Sequence, residues 1–182
     1  KEIRNAAVKN KGHYTVYLPA YDDEKIISFC KQFRDIEWQV FSKHTKKTYK
    51  EKNCFIQPVN ATAFTESFIS CEGILCGAGF ETPAEALFMQ KKVLVVPMKQ
   101  QYEQHCNAAG AADLGVPVIK SLKKKHTQKV ETWLNNKQRI IVNYKDFTLD
   151  MCSYMEELSD SFILYLDKKD KISIIQNQIY DA

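Results

Sequence analysis

The chain has 182 residues, of which 45% are hydrophobic and 26% charged, and it carries a formal charge of +4. That length suits one domain with a real core, and the composition is that of an ordinary globular protein rather than a disordered or fibrous one. So small a surplus of positive charge excludes a general nucleic-acid binder unless the cations cluster, and no apolar run approaches the roughly 18 residues that would suggest a membrane span.

In chain order, residues 1–13 are polar and basic and read as a linker or frayed start. Tyr14 to Leu18 is a short β-type run stopped by Pro19. Asp22 and Asp23 open a helical pattern whose apolar face is Ile26, Ile27, Phe29, Cys30 and Phe33. Glu37 to Phe41 reads as a second strand, Lys43 to Asn53 as a charged loop or excursion, and Cys54 to Val59 as a third strand. Ala61 to Ser70 reads as a helix with Phe64, Phe68 and Ile69 inward, Gly73 to Cys76 as a strand, and Thr82 to Gln90 as the next helix. Lys92 to Met98 contains Val-Leu-Val-Val, the continuous apolar run of a strand buried on both faces. Gln101 to Ala112 is helical, Val116 to Ile119 a short strand, and Thr127 to Leu134 a helix. Arg139 to Tyr144 fits neither period, and Leu149 to Asp167 is a long helix. The alternation predicts an α/β fold: an open, mostly parallel Rossmann-like sheet with helices on both faces, spanning 14–170, with 171–182 as a tail. Ligands of such sheets bind at the carboxyl ends of the strands.

Six cysteines stand at 30, 54, 71, 76, 106 and 152 with no Cys-x-x-Cys pair, so no metal is expected; buried free thiols in a reducing cytosol are the natural reading. Lys120 and Lys123 to His126 form the densest basic run. It reads as a solvated loop or helix start, with an anionic membrane surface or a phosphate-bearing ligand as the alternatives. Trp38 and Trp133 fall in core-like patterns.

The chemically informative stretch is Gly73-Ile-Leu-Cys-Gly-Ala-Gly-Phe-Glu-Thr-Pro-Ala-Glu-Ala-Leu-Phe. A strand ends in a turn of small residues, Gly77 to Gly79. Thr82 stands where an N-cap belongs, with Pro83 at the first helical position and Glu85 completing a capping box. Free N–H groups and the helix dipole at such a start suit a phosphate. The same residues also make a well-capped helix with no ligand at all. About twenty residues on, Pro97-Met-Lys-Gln-Gln-Tyr-Glu-Gln-His-Cys-Asn-Ala-Ala succeeds the buried strand, and its hydrogen-bonding groups suit a hydroxyl-rich ligand. His105, beside Cys106, is read as structural.

Residues 73–110 resemble the C-terminal domain of GT-B glycosyltransferases, in particular the family containing the peptidoglycan GlcNAc transferase. The likeness lies in Gly77-Ala-Gly79, Thr82, Glu85-Ala86, Lys92-Val-Leu-Val-Val-Pro97 and Gln104-His-Cys-Asn107-Ala108. Val93 departs from a proline common there, and Pro19-Ala-Tyr-Asp lacks the glycines usual after the first strand. The resemblance implies that Gly77 lies in the phosphate turn and that Gly79, Phe80 and Thr82 hold the donor diphosphate. It implies further that Glu85 accepts from the ribose, that Glu103 and Gln104 contact the sugar, and that the backbone near Ile56 reads the base.

The function so implied is that of a nucleotide-sugar donor domain, with UDP the expected nucleotide, acting without a metal or other cofactor in a glycosyltransferase that passes a hexosyl group to an acceptor hydroxyl. No residue here is a convincing catalytic base. The acceptor site and base are expected from an N-terminal domain, in cis or on a partner subunit. The start at Lys1 fits an excised piece, in which absent targeting signals say little; a cytoplasmic location, peripheral to the membrane, is the expectation. The alternatives are a natural single-domain subunit, a nucleotide-sugar epimerase, or a non-enzymatic nucleotide-binding or structural α/β domain.

Overall fold

A computed structural model describes residues 10–143 and 146–180. Its elements are β1 (Tyr14–Tyr17), α1 (Asp23–Cys30), β2 (Trp38–Ser42), β3 (Tyr49–Glu51), β4 (Cys54–Pro58), α2 (Ala61–Ser70), β5 (Gly73–Gly77), α3 (Glu81–Phe88), β6 (Lys92–Val96), α4 (Tyr102–Asp113), α5 (Thr127–Asn135) and α6 (Thr148–Tyr180). The six strands are ordered β3-β4-β2-β1-β5-β6, all parallel except β3.

Side-chain alternation builds a core on each face of this sheet. Leu75, Leu94 and Val96 point to one face, where Val16, Trp38, Val40 and Ile56 meet α1 and α5 through Ile26, Phe29, Val130 and Trp133. Ile74, Cys76, Val93 and Val95 point to the other, where they meet Phe68 of α2, Ala86 and Leu87 of α3, and Ala108 of α4. β5 and β6 are therefore apolar at every central position, as strands covered on both sides must be. This is the expected Rossmann-like arrangement.

Several elements differ from the sequence reading. β3 falls inside the stretch 43–53 read as a loop. Its three residues, Tyr-Lys-Glu, are all exposed and pair antiparallel with β4 at the sheet edge, so no apolar alternation marks them. Val116 to Ile119 makes a single parallel bridge, Val95 to Val118, in place of a strand; Pro117 has no N–H to extend a ladder. Residues 10–13 are docked: Lys11 N donates to Ser70 O at 2.8 Å, and His13 is buried against Ser67. Residues 139–143 are irregular, and Ile140 and Val142 pack on the second core.

The chain divides into two units at 143/144, where the sequence pattern predicts one domain over 14–170. The second unit holds α6, which runs well past the expected end at Asp167. Its apolar residues recur at helical spacing, yet Met151, Met155, Leu158, Phe162 and Tyr165 are all more than half exposed. No helix among the described residues is long and apolar enough to cross a membrane.

Candidate functional site

β1 sits at the middle of the sheet, between β2 and β5. The connections from β1 and β5 leave in opposite directions, toward β2 and β6, which opens a crevice at the carboxyl ends of this pair. The loops 78–80 and 97–101 and the start of α1 reach this rim.

The β5–α3 loop is short and glycine-flanked, with the large side chain of Phe80 exposed beside it. Neither Gly77 nor Gly79 has a left-handed φ. A Cβ on Gly79 would meet nothing within 4 Å, and one on Gly77 would meet only Gln104 Oε1, at 3.6 Å. The fold itself thus demands glycine at neither position. α3 starts two residues earlier than its capping pattern suggests: Phe80 is the N-cap, already in helical conformation, and no side chain caps the end. Thr82 is accordingly a first-turn residue rather than the cap, Pro83 is buried in the first turn, and no capping box forms with Glu85. The first-turn N–H groups of such a helix have no intrahelical acceptor. Glu81, also in this turn, brings a negative charge to the same place. On the exposed side of α3, partial burial and then the neighbouring Glu81 push the Glu85 carboxyl above its usual range.

The second loop is fastened to the first. Asn107 Nδ2 donates to Ala78 O at 3.2 Å and to Glu103 Oε1 at 3.4 Å. Gln104 Oε1 accepts from Met98 N at 3.0 Å, and Gln104 Nε2 donates to Gln101 Oε1 at 2.8 Å. Gln100, at φ +64, makes the left-handed turn that starts α4 at Tyr102 instead of Gln101. Glu103 and His105 are exposed on α4, and Phe80 and Tyr102 stand 76% and 84% exposed at the starts of α3 and α4.

Gly77, Gly79, Phe80, Thr82, Glu85, Glu103 and Gln104 are thus carried by the two neighbouring loop–helix units, while Ile56 is not. It lies within β4, fully buried, in register with Val40 on one side and Tyr49 on the other. Its side chain has nothing to offer a ligand, and the rim of that strand is two or three residues further on. The sequence reading also missed a polar knot where α1 begins. Ser42 Oγ donates to Asp23 Oδ1, Tyr49 Oη donates to Asp23 Oδ2 at 3.2 Å, and His44 N donates to Ser42 Oγ at 2.9 Å. No local spacing relates Asp23, Ser42 and Tyr49; only the pairing of β1, β2, β4 and β3 brings them together. The basic run is a short 3-10 turn, Lys124–His126, leading into α5, with its lysines exposed.

Residues 1–137 match the family described as glycosyl transferase family 1. No curated protein matches the chain. Among solved structures, the glycotransferase of kitacinnamycin superposes with a TM-score of 0.53 at 14% identity, over 71% of this chain and 35% of its own. SnogD from Streptomyces nogalater gives 0.52 at 15%, over 72% and 35%. MurG of Acinetobacter baumannii gives 0.50 at 16%, over 74% and 44%. At these identities the likeness shows the architecture alone, and the chain spans less than half the length of each of these proteins. The family match and the doubly wound sheet together show that this chain belongs to glycosyl transferase family 1 and is a domain of the GT-B type.

Proposed function

We propose that the crevice binds the nucleoside diphosphate and sugar of a nucleotide-sugar donor, a UDP-sugar, and that the chain is the donor half of an enzyme transferring a hexosyl group to an acceptor hydroxyl. The observation that carries this is the hydrogen bond from Asn107 to Ala78 O, which locks a helix start without a side-chain cap beside an amide-rich one. Glycines that the fold does not require leave room for a ligand at van der Waals distance from the main chain.

In this reading the diphosphate lies on the N–H groups of Gly79, Phe80 and the first turn of α3, with Gly77 leaving the approach open and the Thr82 hydroxyl alongside. The helix start then stabilises charge on the departing diphosphate as the acceptor oxygen attacks the anomeric carbon. Ribose hydroxyls donate to Glu85, and the sugar meets Glu103 and Gln104. Gln104 already holds Met98 N, so it fixes the loop as well as offering its free amide hydrogen. Base reading passes from Ile56 to the rim of β4. No metal is invoked. The acceptor site and catalytic base belong to a second domain, in cis or on a partner subunit. Four buried free thiols, Cys30, Cys54, Cys71 and Cys76, favour a reducing compartment.

Calorimetric titration with UDP, UDP-GlcNAc and other nucleoside diphosphates tests the reading. Selective UDP binding is expected. Glu85→Ala should weaken it by about tenfold to a hundredfold, the worth of a hydrogen bond to a charged group. A folded chain that binds no nucleotide, or a Glu85→Ala chain that binds UDP as before, sinks the assignment.

A further inference from the structure

At the opposite end of the sheet, the turn before β6, the second half of α5 and the segment after it enclose a cleft of about 400 Å³, within the size range of small-molecule sites. Four cations line it, Lys91, Lys92, Lys129 and Arg139, and no carboxylate does so among the described residues. Pro117, Trp133 and Ile140 give it an apolar wall.

The charges behind the wall do not balance. Glu72 Oε1 accepts from Arg139 Nη2 and stands 3.6 Å from Lys92 Nζ, while Glu72 Oε2 is taken by Asn10. Lys91 is buried with only carbonyl oxygens as acceptors, those of Ile69 and Cys71, both at 2.7 Å. Lys92 spends its other bonds on Leu134 O at 2.7 Å and Tyr14 Oη at 3.2 Å. Lys92 and Arg139 therefore share one carboxylate, and Lys91 has no carboxylate partner among the described residues. Two donors of the lining are also left over: Trp133 Nε1, on a residue 5% exposed, and Arg139 Nη1 are buried with no acceptor among the described residues. A buried donor without an acceptor is costly. Burial, and the repulsion of Arg139, hold both lysines below their usual pKa, the state an added anion would relieve.

We propose that this cleft is a second ligand site, for a small phosphate-bearing molecule, distinct from the donor crevice. The phosphate takes the lysines and arginine, with a turn of the half-exposed Arg139 side chain presenting Nη1, and the rest of the molecule lies on Trp133 and Ile140. The recess and its buried donors favour a free small molecule over a lipid headgroup.

The test is a titration of the chain with inorganic phosphate, followed by ¹H–¹⁵N NMR at the two tryptophan indoles. UDP is present at saturation if it binds, and a sodium chloride series matches the ionic strength. Trp133 should shift saturably and Trp38, which lines no part of the cleft, should not. Arg139→Gln should weaken the response about tenfold and Lys129→Gln, an exposed site that leaves the fold alone, about threefold. No saturable Trp133 shift, an equal shift with chloride, or a response unchanged in Lys129→Gln overturns the proposal. So does binding to anionic phospholipid vesicles that Arg139→Gln abolishes while free phosphate has no effect.

Discussion

β5 presents opposite faces of one chemistry at its two ends. At its carboxyl end the chain passes through glycines that touch almost nothing, and neutral amides hold the neighbouring loop in place. At its amino end Gly73 is wedged so tightly that a Cβ would come within 2.7 Å of Lys92 Cβ and Lys92 O and within 2.9 Å of the Tyr14 ring, and ionised groups fill the surroundings. The same residue type serves contact with the fold at one end and absence of contact at the other. A glycine in a motif is therefore evidence of a site only once its surroundings are known.

The largest test of that contrast is a pair of alanines. Gly73→Ala should cost about 3 kcal/mol in urea unfolding, because one of the clashing atoms is backbone that cannot swing away. Gly79→Ala should change stability by less than about 0.5 kcal/mol, while UDP binding falls. Equal losses of stability would erase the distinction. Next, Glu72→Gln should cost about 2 kcal/mol by leaving Arg139 and Lys92 without their counter-charge, discounted because the pair is partly solvated. Burial raises the Glu72 carboxyl, but the hydrogen bonds from Arg139 and Asn10 and the two positive charges outweigh it, so its net shift is downward. Its contribution is then complete above the ordinary carboxylate range and is lost as pH falls through and below it. The urea midpoint of the unmodified chain should drop between about pH 5 and 3, more steeply than that of Glu72→Gln. At the carboxyl end, Asn107→Ala should cost only about 1 kcal/mol, the net worth of one hydrogen bond, yet reduce UDP affinity by freeing the two loops from each other. An unchanged affinity would mean that Ala78 O needs no tether. The smallest effect is a gain: if the proposed diphosphate lies at the start of α3, Glu81→Gln removes a competing charge and should tighten UDP by about twofold to fivefold.

Where burial and period coincide, the sequence discloses the fold. The run of valines and leucine in β6, the apolar face of α1 and the inward Phe68 of α2 all pack as their spacing predicts. β3 is hidden because an edge strand with exposed residues carries no pattern. α6 is legible as a helix but its end is not, since neither glycine nor proline punctuates the chain after Asp167. In the crevice, the small-residue turn and the amide-rich segment were both legible, and so was their neighbourhood. The start of α3 was not, since Thr82 and Pro83 look like a cap and a first residue while Phe80 is already helical. Asn107 was visible only as one polar group among several; its partner is a backbone carbonyl 29 positions away, which no side-chain pattern encodes. Ile56 was placed by resemblance alone, and no spacing in the sequence disclosed that strands pair with it on both sides.

β3 also governs how the molecule behaves in company. A parallel sheet with an open flank offers rows of N–H and C=O groups on which strands of other molecules can grow. Here that flank ends in three exposed residues, among them a lysine and a glutamate that a pairing strand would have to strip of water, and the strand is cut short by the turn at Lys52, with φ +55. The other flank is covered at Val95 of β6 by the bridge to Val118, with Pro117 O and Ile119 N taking the Val95 main-chain groups. Both borders are blunted, so crowding the domain should not promote aggregation through its sheet.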